Sequence, residues 1–128
     1  MNSTQGYHLI DDLPPDMDPE CSALCTALNK YPGIRTVDSC CGHGRRPYSV
    51  FFKAMCIDDL PPVLYWFDSC HCGHYSWDVV VLTDCGMSYP TFHIRGPIGE
   101  QAYLESLHIA ELLLGGLDDG AKGASVNA

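Results

Sequence analysis

The sequence has few basic residues and no long apolar run. Seven Lys and Arg face sixteen Asp and Glu, which gives a formal net charge of −9 at pH 7. Binding a long stretch of DNA or RNA needs several basic contacts to phosphates, so we expect no broad nucleic-acid interface. No segment approaches the ~20 apolar residues that span a bilayer, so we expect no membrane partner. The first residues lack the basic and apolar regions of a secretion signal, which predicts a soluble, cytoplasmic protein.

Cysteine, in contrast, is abundant, with eight in 128 residues. A secreted chain would use them as a disulfide framework, but no export signal is present. Cys21 and Cys25 are in helical register with Leu24 and Leu28 and are predicted to be small core residues, as is Cys56 at the end of an apolar strand. The other five lie in turn-like segments and are candidates for chemistry: Cys40, Cys41, Cys70, Cys72 and Cys85.

The hydrophobic pattern predicts an α+β fold. The predicted strands are 34–38, 48–54, 77–83 and 91–95. The third strand is rich in β-branched residues, so we expect it to be central. The predicted helices run from 16 to about 30, from 58 to about 68, and from 99 to a stop at Gly115-Gly116. This order predicts a four-stranded, mainly antiparallel sheet with three helices.

The length predicts one hydrophobic core. We expect an N-terminal arm at 1–15, a single α+β domain at 16–116 and a disordered, Gly- and Ala-rich tail at 117–128. Two strand ends, 36–40 and 82–85, share a pattern of Thr, Asp and Cys, each followed by glycine, proline and a strand with an aromatic residue. A duplicated helix-strand-strand unit would explain this pattern, and its two Cys-Gly loops would then be able to face one site.

The most unusual segment is the loop at 38–47, with the sequence Asp-Ser-Cys-Cys-Gly-His-Gly-Arg-Arg-Pro. Four of the seven basic side chains lie between Arg35 and Lys53, and a positive loop on an acidic body is expected to attract a small anion. Gly42 and Gly44 allow positive φ, so backbone N–H groups can converge on an anion. The planar guanidinium groups of Arg45 and Arg46 are able to donate paired hydrogen bonds to a phosphate or carboxylate, and the imidazole of His43 is able to donate one more.

We therefore hypothesise a small binding protein that captures, and by capture sequesters, an anionic, nucleotide-like molecule. The predicted ligand-binding residues are Ser39, Cys40, Gly42, His43, Gly44, Arg45, Arg46 and Arg95. The aromatic content of so small a chain also points to a homo-oligomer. The plain alternative is a solvated turn whose arginines pair with acidic residues: Asp11, Asp12, Asp58 or Asp59.

Zinc and thiol chemistry are further alternatives. The segment 70–74, Cys-His-Cys-Gly-His, offers four metal-ligand side chains, and Cys40, Cys41, His43 and Cys85 supply more. The Cys-x-Cys spacing of segment 70–74 is tighter than that of common zinc knuckles. If this segment binds no zinc, His71 and His74 are expected at the surface. A zinc-stabilised interaction protein is thus one alternative function. A nucleophilic cysteine needs a base held by a third group, so no catalytic residue is assigned.

The order helix, short strand, residues 39–43, strand resembles the signature of the wybutosine methyltransferase family, whose members modify a tRNA base with S-adenosylmethionine. That family carries Ser-Ser-Cys-Ser-Gly-Arg at this position, where this chain departs at Asp38, Cys41 and His43. The matching residues are Ser39, Cys40 and Gly42.

The similarity covers about residues 16–54 and implies a methyltransferase-like enzyme as another alternative. Ser39, Cys40 and His43 would then lie near the reacting centre. The loop is also similar to the Cys-Gly-His-Gly loop of small bacterial and phage proteins, a resemblance that implies no activity.

Overall fold

The structure, a computed structural model, describes residues 18–82 and 89–127. The arm predicted at 1–15, and Cys85 with most of its loop, lie outside the described residues. The division of the chain into arm, domain and tail therefore stays a prediction.

Four antiparallel strands form one sheet in the order β1-β2-β4-β3, which confirms the predicted α+β fold. The strands are β1 (Ile34–Cys40), β2 (Ser49–Ala54), β3 (Asp78–Leu82) and β4 (Thr91–Arg95). The central position predicted for β3 is wrong, because β3 lies at an edge of the sheet. The β-branched residues of β3 do not indicate a central strand, because Val79 and Val80 are half-buried and Val81 is 59% exposed.

Two of the helices begin with a short 3-10 turn. Pro19–Cys21 leads into α1 (Ser22–Asn29), and Ile57–Asp59 leads into α2 (Leu60–Tyr65). Proline suits these first turns because it has no N–H to leave unpaired. A single turn, α3 (Ser69–Cys72), and the long α4 (Glu100–Asn127) follow. With the 3-10 turns included, the described residues form three helices of seven or more residues, as predicted. None of the helices in this part of the chain is long and apolar enough to cross a membrane.

One face of the sheet carries the core and packs against α1 and α4. Val50 and Phe52 are fully buried, whereas Phe51 between them is half-buried, so burial along β2 alternates with the period of a strand. The largest helical contributions are the fully buried Leu24, Leu28, Ile109 and Leu113. The hydroxyl of Tyr31 donates to the carbonyl of Leu113 at 2.6 Å, which ties the end of α1 to α4.

Tyr48 joins three segments around the loop between β1 and β2. Its side chain is fully buried, and its hydroxyl donates to the carbonyl of Glu20 at 2.7 Å. Its backbone N–H donates to the carbonyl of Pro97 at 3.1 Å, and its own carbonyl accepts from the N–H of Gly96 at 2.8 Å. Tyr48 therefore fixes the 3-10 turn before α1 relative to β2 and to the end of β4.

The two hairpins lie at opposite ends of the sheet. Because β2 and β4 are antiparallel, Ser49 pairs with Arg95 and Lys53 pairs with Thr91. The loop that enters β2 at Ser49 thus lies beside the end of β4, whereas the loop that enters β4 at Thr91 lies at the other end. The strand order is compatible with a duplicated unit. Cys85 and Gly86 lie outside the described residues, so the expectation that the two Cys-Gly loops face one site stays a prediction.

The predicted helix stop at Gly115-Gly116 is also wrong, because α4 continues to Asn127. Gly116 is needed for packing. A Cβ at this position would lie 2.6 Å from Nε1 of Trp66 and 3.3 Å from the hydroxyl of Tyr31. Gly115 is exposed, and a Cβ there would meet nothing within 4 Å.

This contrast gives a matched pair of substitutions. We expect Gly115→Ala to raise the free energy of unfolding by up to about 1 kcal/mol, since alanine is the better helix former. We expect Gly116→Ala to lower it by about 1–3 kcal/mol, because Trp66 must move to accommodate the methyl group. Urea denaturation measures both variants. Equal stabilisation by the two substitutions would contradict the close contact between α4 and Trp66.

Two core thiols make the fold sensitive to alkaline pH. Cys21 and Cys25 are fully buried, and burial raises their pKa from 9.0 to about 11 and about 12. Because the unfolded chain ionises first, their contribution to stability is complete below pH 9 and is lost as pH rises towards these values.

We therefore expect the free energy of unfolding to fall with pH above 9, by up to about 1.4 kcal/mol per pH unit for each thiol that stays protonated only in the folded state. Urea denaturation at pH 8, 9 and 10 measures this slope. Cys25→Ala is expected to make the dependence of the unfolding free energy on pH less steep, because one of the two buried thiols is then missing. The same slope in the variant and the wild type would show that burial of Cys25 is not the cause.

Candidate functional site

The loop after β1 turns through three consecutive residues with left-handed backbone conformation. The φ angles are 86° at Gly42, 52° at His43 and 79° at Gly44. The positive φ predicted for the two glycines is therefore present. Among the described residues, only His43 combines a side chain with positive φ. This conformation costs on the order of 1 kcal/mol for an L-residue, and such strain is concentrated at functional sites.

The backbone N–H groups of this loop already have acceptors within the chain. The N–H of Cys41 donates to Oδ2 of Asp18 at 2.9 Å. The N–H of Gly42 donates to Sγ of Cys40, and that of His43 to Sγ of Cys41, both at 3.4 Å. The donors that we expected to converge on an external anion thus contact a carboxylate and two sulfurs of the protein itself.

Asp18, Cys40 and His43 form a cluster of potential metal ligands, with one ligand atom from each lying within 4.8 Å of the others. Nε2 of His43 lies 3.7 Å from Oδ2 of Asp18, and Nδ1 lies 3.7 Å from Sγ of Cys41. When Nδ1 carries the proton and faces Cys41, Nε2 presents its lone pair on the side of Asp18. Among the described residues, no other three Asp, Glu, Cys or His side chains group as closely.

Asp18 was not predicted as a site residue. Acidic residues at 16 and 18 are both suited to cap the first helix. Asp18 does occupy the N-cap position of the 3-10 turn, but its side chain makes no capping hydrogen bond. Its carboxylate instead reaches the loop 23 residues later. Local spacing contains no signal for this contact, which depends on how the turn packs beside the β1–β2 hairpin.

The two adjacent cysteines differ in environment. Cys41 is buried, and burial, with a further contribution from the carboxylates of Glu20 and Asp18, raises the pKa of its thiol to about 12. Cys40 is half-buried and belongs to the cluster with Asp18. Because a thiolate is the reactive form, Cys41 is a poor nucleophile.

Arg45 and Arg46 are exposed, and within residues 18–82 and 89–127 their guanidinium groups make no hydrogen bond or ion pair. Their backbone N–H groups donate to the carbonyl of Gly42 at 2.9 and 3.1 Å, which closes the turn. The loop therefore presents two adjacent cationic side chains to solvent.

The remaining predicted residues lie apart from the turn. Arg95 forms a bidentate pair with Asp78, at 2.8 and 2.9 Å, and this hydrogen bonding holds the pKa of Asp78 below its ordinary value. Ser39 lies near the end of β1, and its backbone N–H donates to Oδ1 of Asp38 at 2.9 Å. The structure thus brings together Cys40, Gly42, His43, Gly44, Arg45 and Arg46, with Ser39 next to the loop and Arg95 paired elsewhere.

A cavity of about 150 Å³ opens beside the loop, between the 3-10 turn and the beginning of α4. Its lining residues include His43, Glu20, Glu100 and Tyr103. No arginine lines this cavity. Two acidic residues thus line the cavity, whereas Arg45 and Arg46 lie outside it.

The segment 70–74 does not gather its four metal-ligand side chains. Cys70 and His71 are exposed, and His71 stacks on Tyr65 with ring centroids 3.8 Å apart. Cys72 is buried and its sulfur contacts the backbone of His74. Cys85 lies outside the described residues.

No family model, no curated protein and no solved structure matches this chain. The resemblance to the wybutosine methyltransferase family therefore stays a hypothesis that rests on the loop residues alone.

Proposed function

We propose that this protein binds a divalent metal ion of the zinc class at Asp18, Cys40 and His43. The observation that carries the proposal is the cluster itself: a carboxylate, a thiol and an imidazole whose ligand atoms lie within 4.8 Å of one another. Sulfur, nitrogen and oxygen ligands of these three types are those that bind zinc in proteins. Calcium and magnesium prefer oxygen ligands alone, so the thiol argues against them.

The strained backbone at His43 supports the proposal. Positive φ places this imidazole between the carboxylate of Asp18 and the sulfur of Cys41. Glycine would adopt the same conformation without strain, so an imidazole here needs a reason that local folding does not supply. A ligand role for Nε2 is such a reason.

The hydrogen bonds around the cluster are those that a metal site uses to orient its ligands. The N–H of Gly42 points at the sulfur of Cys40 and compensates negative charge on a metal-bound thiolate. The N–H of Cys41 holds the carboxylate of Asp18. Nδ1 of His43 lies 3.7 Å from the sulfur of Cys41, which gives a proton on Nδ1 an acceptor.

Three protein ligands leave one position of a tetrahedral ion for water or for a ligand. His43 also lines the cavity of about 150 Å³, so that position has space beside it. A metal ion would add positive charge at an otherwise acidic concavity. The site is therefore suited to a small molecule with a metal-binding oxygen or nitrogen atom.

Capture of an anion by the loop is the second candidate function. It is supported by the exposed guanidinium groups of Arg45 and Arg46, which have no ion-pair partner among the described residues. The backbone donors of the loop are occupied, so recognition would depend on these two side chains.

The metal proposal is tested by titrating the metal-free protein with Co²⁺. We expect one equivalent to bind with a thiolate-to-cobalt charge-transfer band, and Zn²⁺ to displace it. Cys40→Ser is expected to remove the band. His43→Gly is expected to weaken binding by at least about tenfold, while the variant remains as stable as the wild type or becomes more stable because the strain is relieved.

Cys56→Ser is the matched control. The prediction that Cys56 belongs to the core is wrong, because its thiol is exposed, and since it lies outside the cluster its loss should leave the titration unchanged. A Co²⁺ band that survives in Cys40→Ser with the same stoichiometry would refute the assignment.

The anion candidate is tested by calorimetric titration with nucleotides and cyclic nucleotides. The double variant Arg45→Ala/Arg46→Ala is expected to lose the heat of binding. Arg35→Ala/Lys53→Ala removes the same charge elsewhere and is expected to retain it. Equal loss in both variants, or no heat with any anion in the wild type, would exclude a specific anion site in the loop.

A further inference from the structure

Two imidazole rings meet on the surface of α4, away from the loop. Nε2 of His74, in the turn after α3, lies 2.8 Å from Nδ1 of His108 on α4. The ring planes are nearly perpendicular, at 89°. His74 is half-buried and His108 is exposed, so solvent reaches the pair from one side.

A carboxylate lies behind His74. Oε2 of Glu105 lies 3.5 Å from Nδ1 of His74, and the Glu105 side chain is only 14% exposed. Nε1–H of Trp77 donates to Glu105 at 2.8 Å, and the amide of Gln101 donates at 2.7 Å. This arrangement favours the proton of His74 on Nδ1 and leaves the lone pair of Nε2 directed towards His108.

The turn that carries His74 is also fixed. The N–H of His74 donates to the sulfur of Cys72 at 3.4 Å, and that thiol contacts the carbonyl of His74 at 3.5 Å. Gly73 ends α3 with a φ of 82°. The imidazole is therefore held from the backbone side as well as through Glu105.

We propose that His74 and His108 form a second metal site, which takes a divalent ion of the nickel and copper class. Without metal, Nδ1–H of His108 donates to Nε2 of His74. On binding, the proton of His108 moves to its Nε2, so both facing nitrogens offer lone pairs and no proton is released. Glu105 is the positioning residue, and water completes the coordination.

The distance between the two nitrogens favours one coordination angle over another. Two nitrogens bound at about 2.0–2.1 Å lie about 2.9 Å apart at a right angle and about 3.3 Å apart at a tetrahedral angle. The hydrogen bond of the metal-free pair holds the two nitrogens 2.8 Å apart, so a right-angled ion requires the rings to separate by only about 0.1 Å, and a tetrahedral ion by about 0.5 Å. Right-angled, tetragonal coordination by nitrogen and oxygen is typical of Ni²⁺ and Cu²⁺, whereas zinc prefers the tetrahedron.

The test uses the full chain with Cys40→Ser, in which the thiolate cluster is impaired, and Ni²⁺, which does not oxidise the remaining thiols as Cu²⁺ does. Calorimetry is expected to show one equivalent of Ni²⁺ without a thiolate charge-transfer band. Adding His108→Gln is expected to abolish binding. Adding His71→Gln, which removes an exposed imidazole outside the pair, is expected to leave it unchanged.

Glu105→Gln is expected to weaken Ni²⁺ binding about 10- to 100-fold while retaining an acceptor for Trp77. Binding that persists in His108→Gln, or no Ni²⁺ bound in the Cys40→Ser background, would overturn the second site. Neither result affects the Co²⁺ titration of the cluster at Asp18, Cys40 and His43. The two metal sites are therefore tested independently of each other.

Discussion

The buried hydroxyl of Tyr48 is the contact on which the arrangement of the loop depends. It binds the carbonyl of Glu20, while the backbone of Tyr48 binds Pro97 and Gly96. The turn that begins at Asp18, the start of β2 and the end of β4 are therefore fixed relative to one another. Because burial raises the pKa of Tyr48, this hydroxyl stays protonated and remains a donor. A loop fixed in this way keeps Asp18 beside Cys41 without any local sequence contact.

The strands were predictable because their burial alternates with period two. Val50 and Phe52 face the core and Phe51 does not, which the sequence shows directly. The positions of the strands were harder to predict. β3 has the composition of a central strand but lies at an edge, because strand order depends on which hairpins dock side by side. Gly116 suggested a helix end, whereas it accommodates Trp66, a contact across the fold.

In the candidate site, too, the local backbone conformation was predictable from the sequence and the contacts with distant residues were not. Glycines at 42 and 44 indicated positive φ, and the structure has it. The sequence also predicted that the backbone N–H groups of the loop bind an external anion, because local sequence does not show an acceptor from another part of the chain. Asp18 supplies that acceptor. Arg95 is a similar case, since its pairing with Asp78 follows from strand register and not from spacing. Local conformation was predictable, and the partners of the loop were not.

The antiparallel pairing of β2 and β4 also sets the distance between the ends of the two hairpins. Ser49 follows the first hairpin loop, and Lys53 pairs with Thr91, which follows the second; the two positions lie four residues apart on β2, about 13 Å at the usual rise of a strand. The ends of the two hairpins are therefore separated by the length of β2. Substitutions at one end of this strand are able to change the local chemistry there without altering the side chains at the other end.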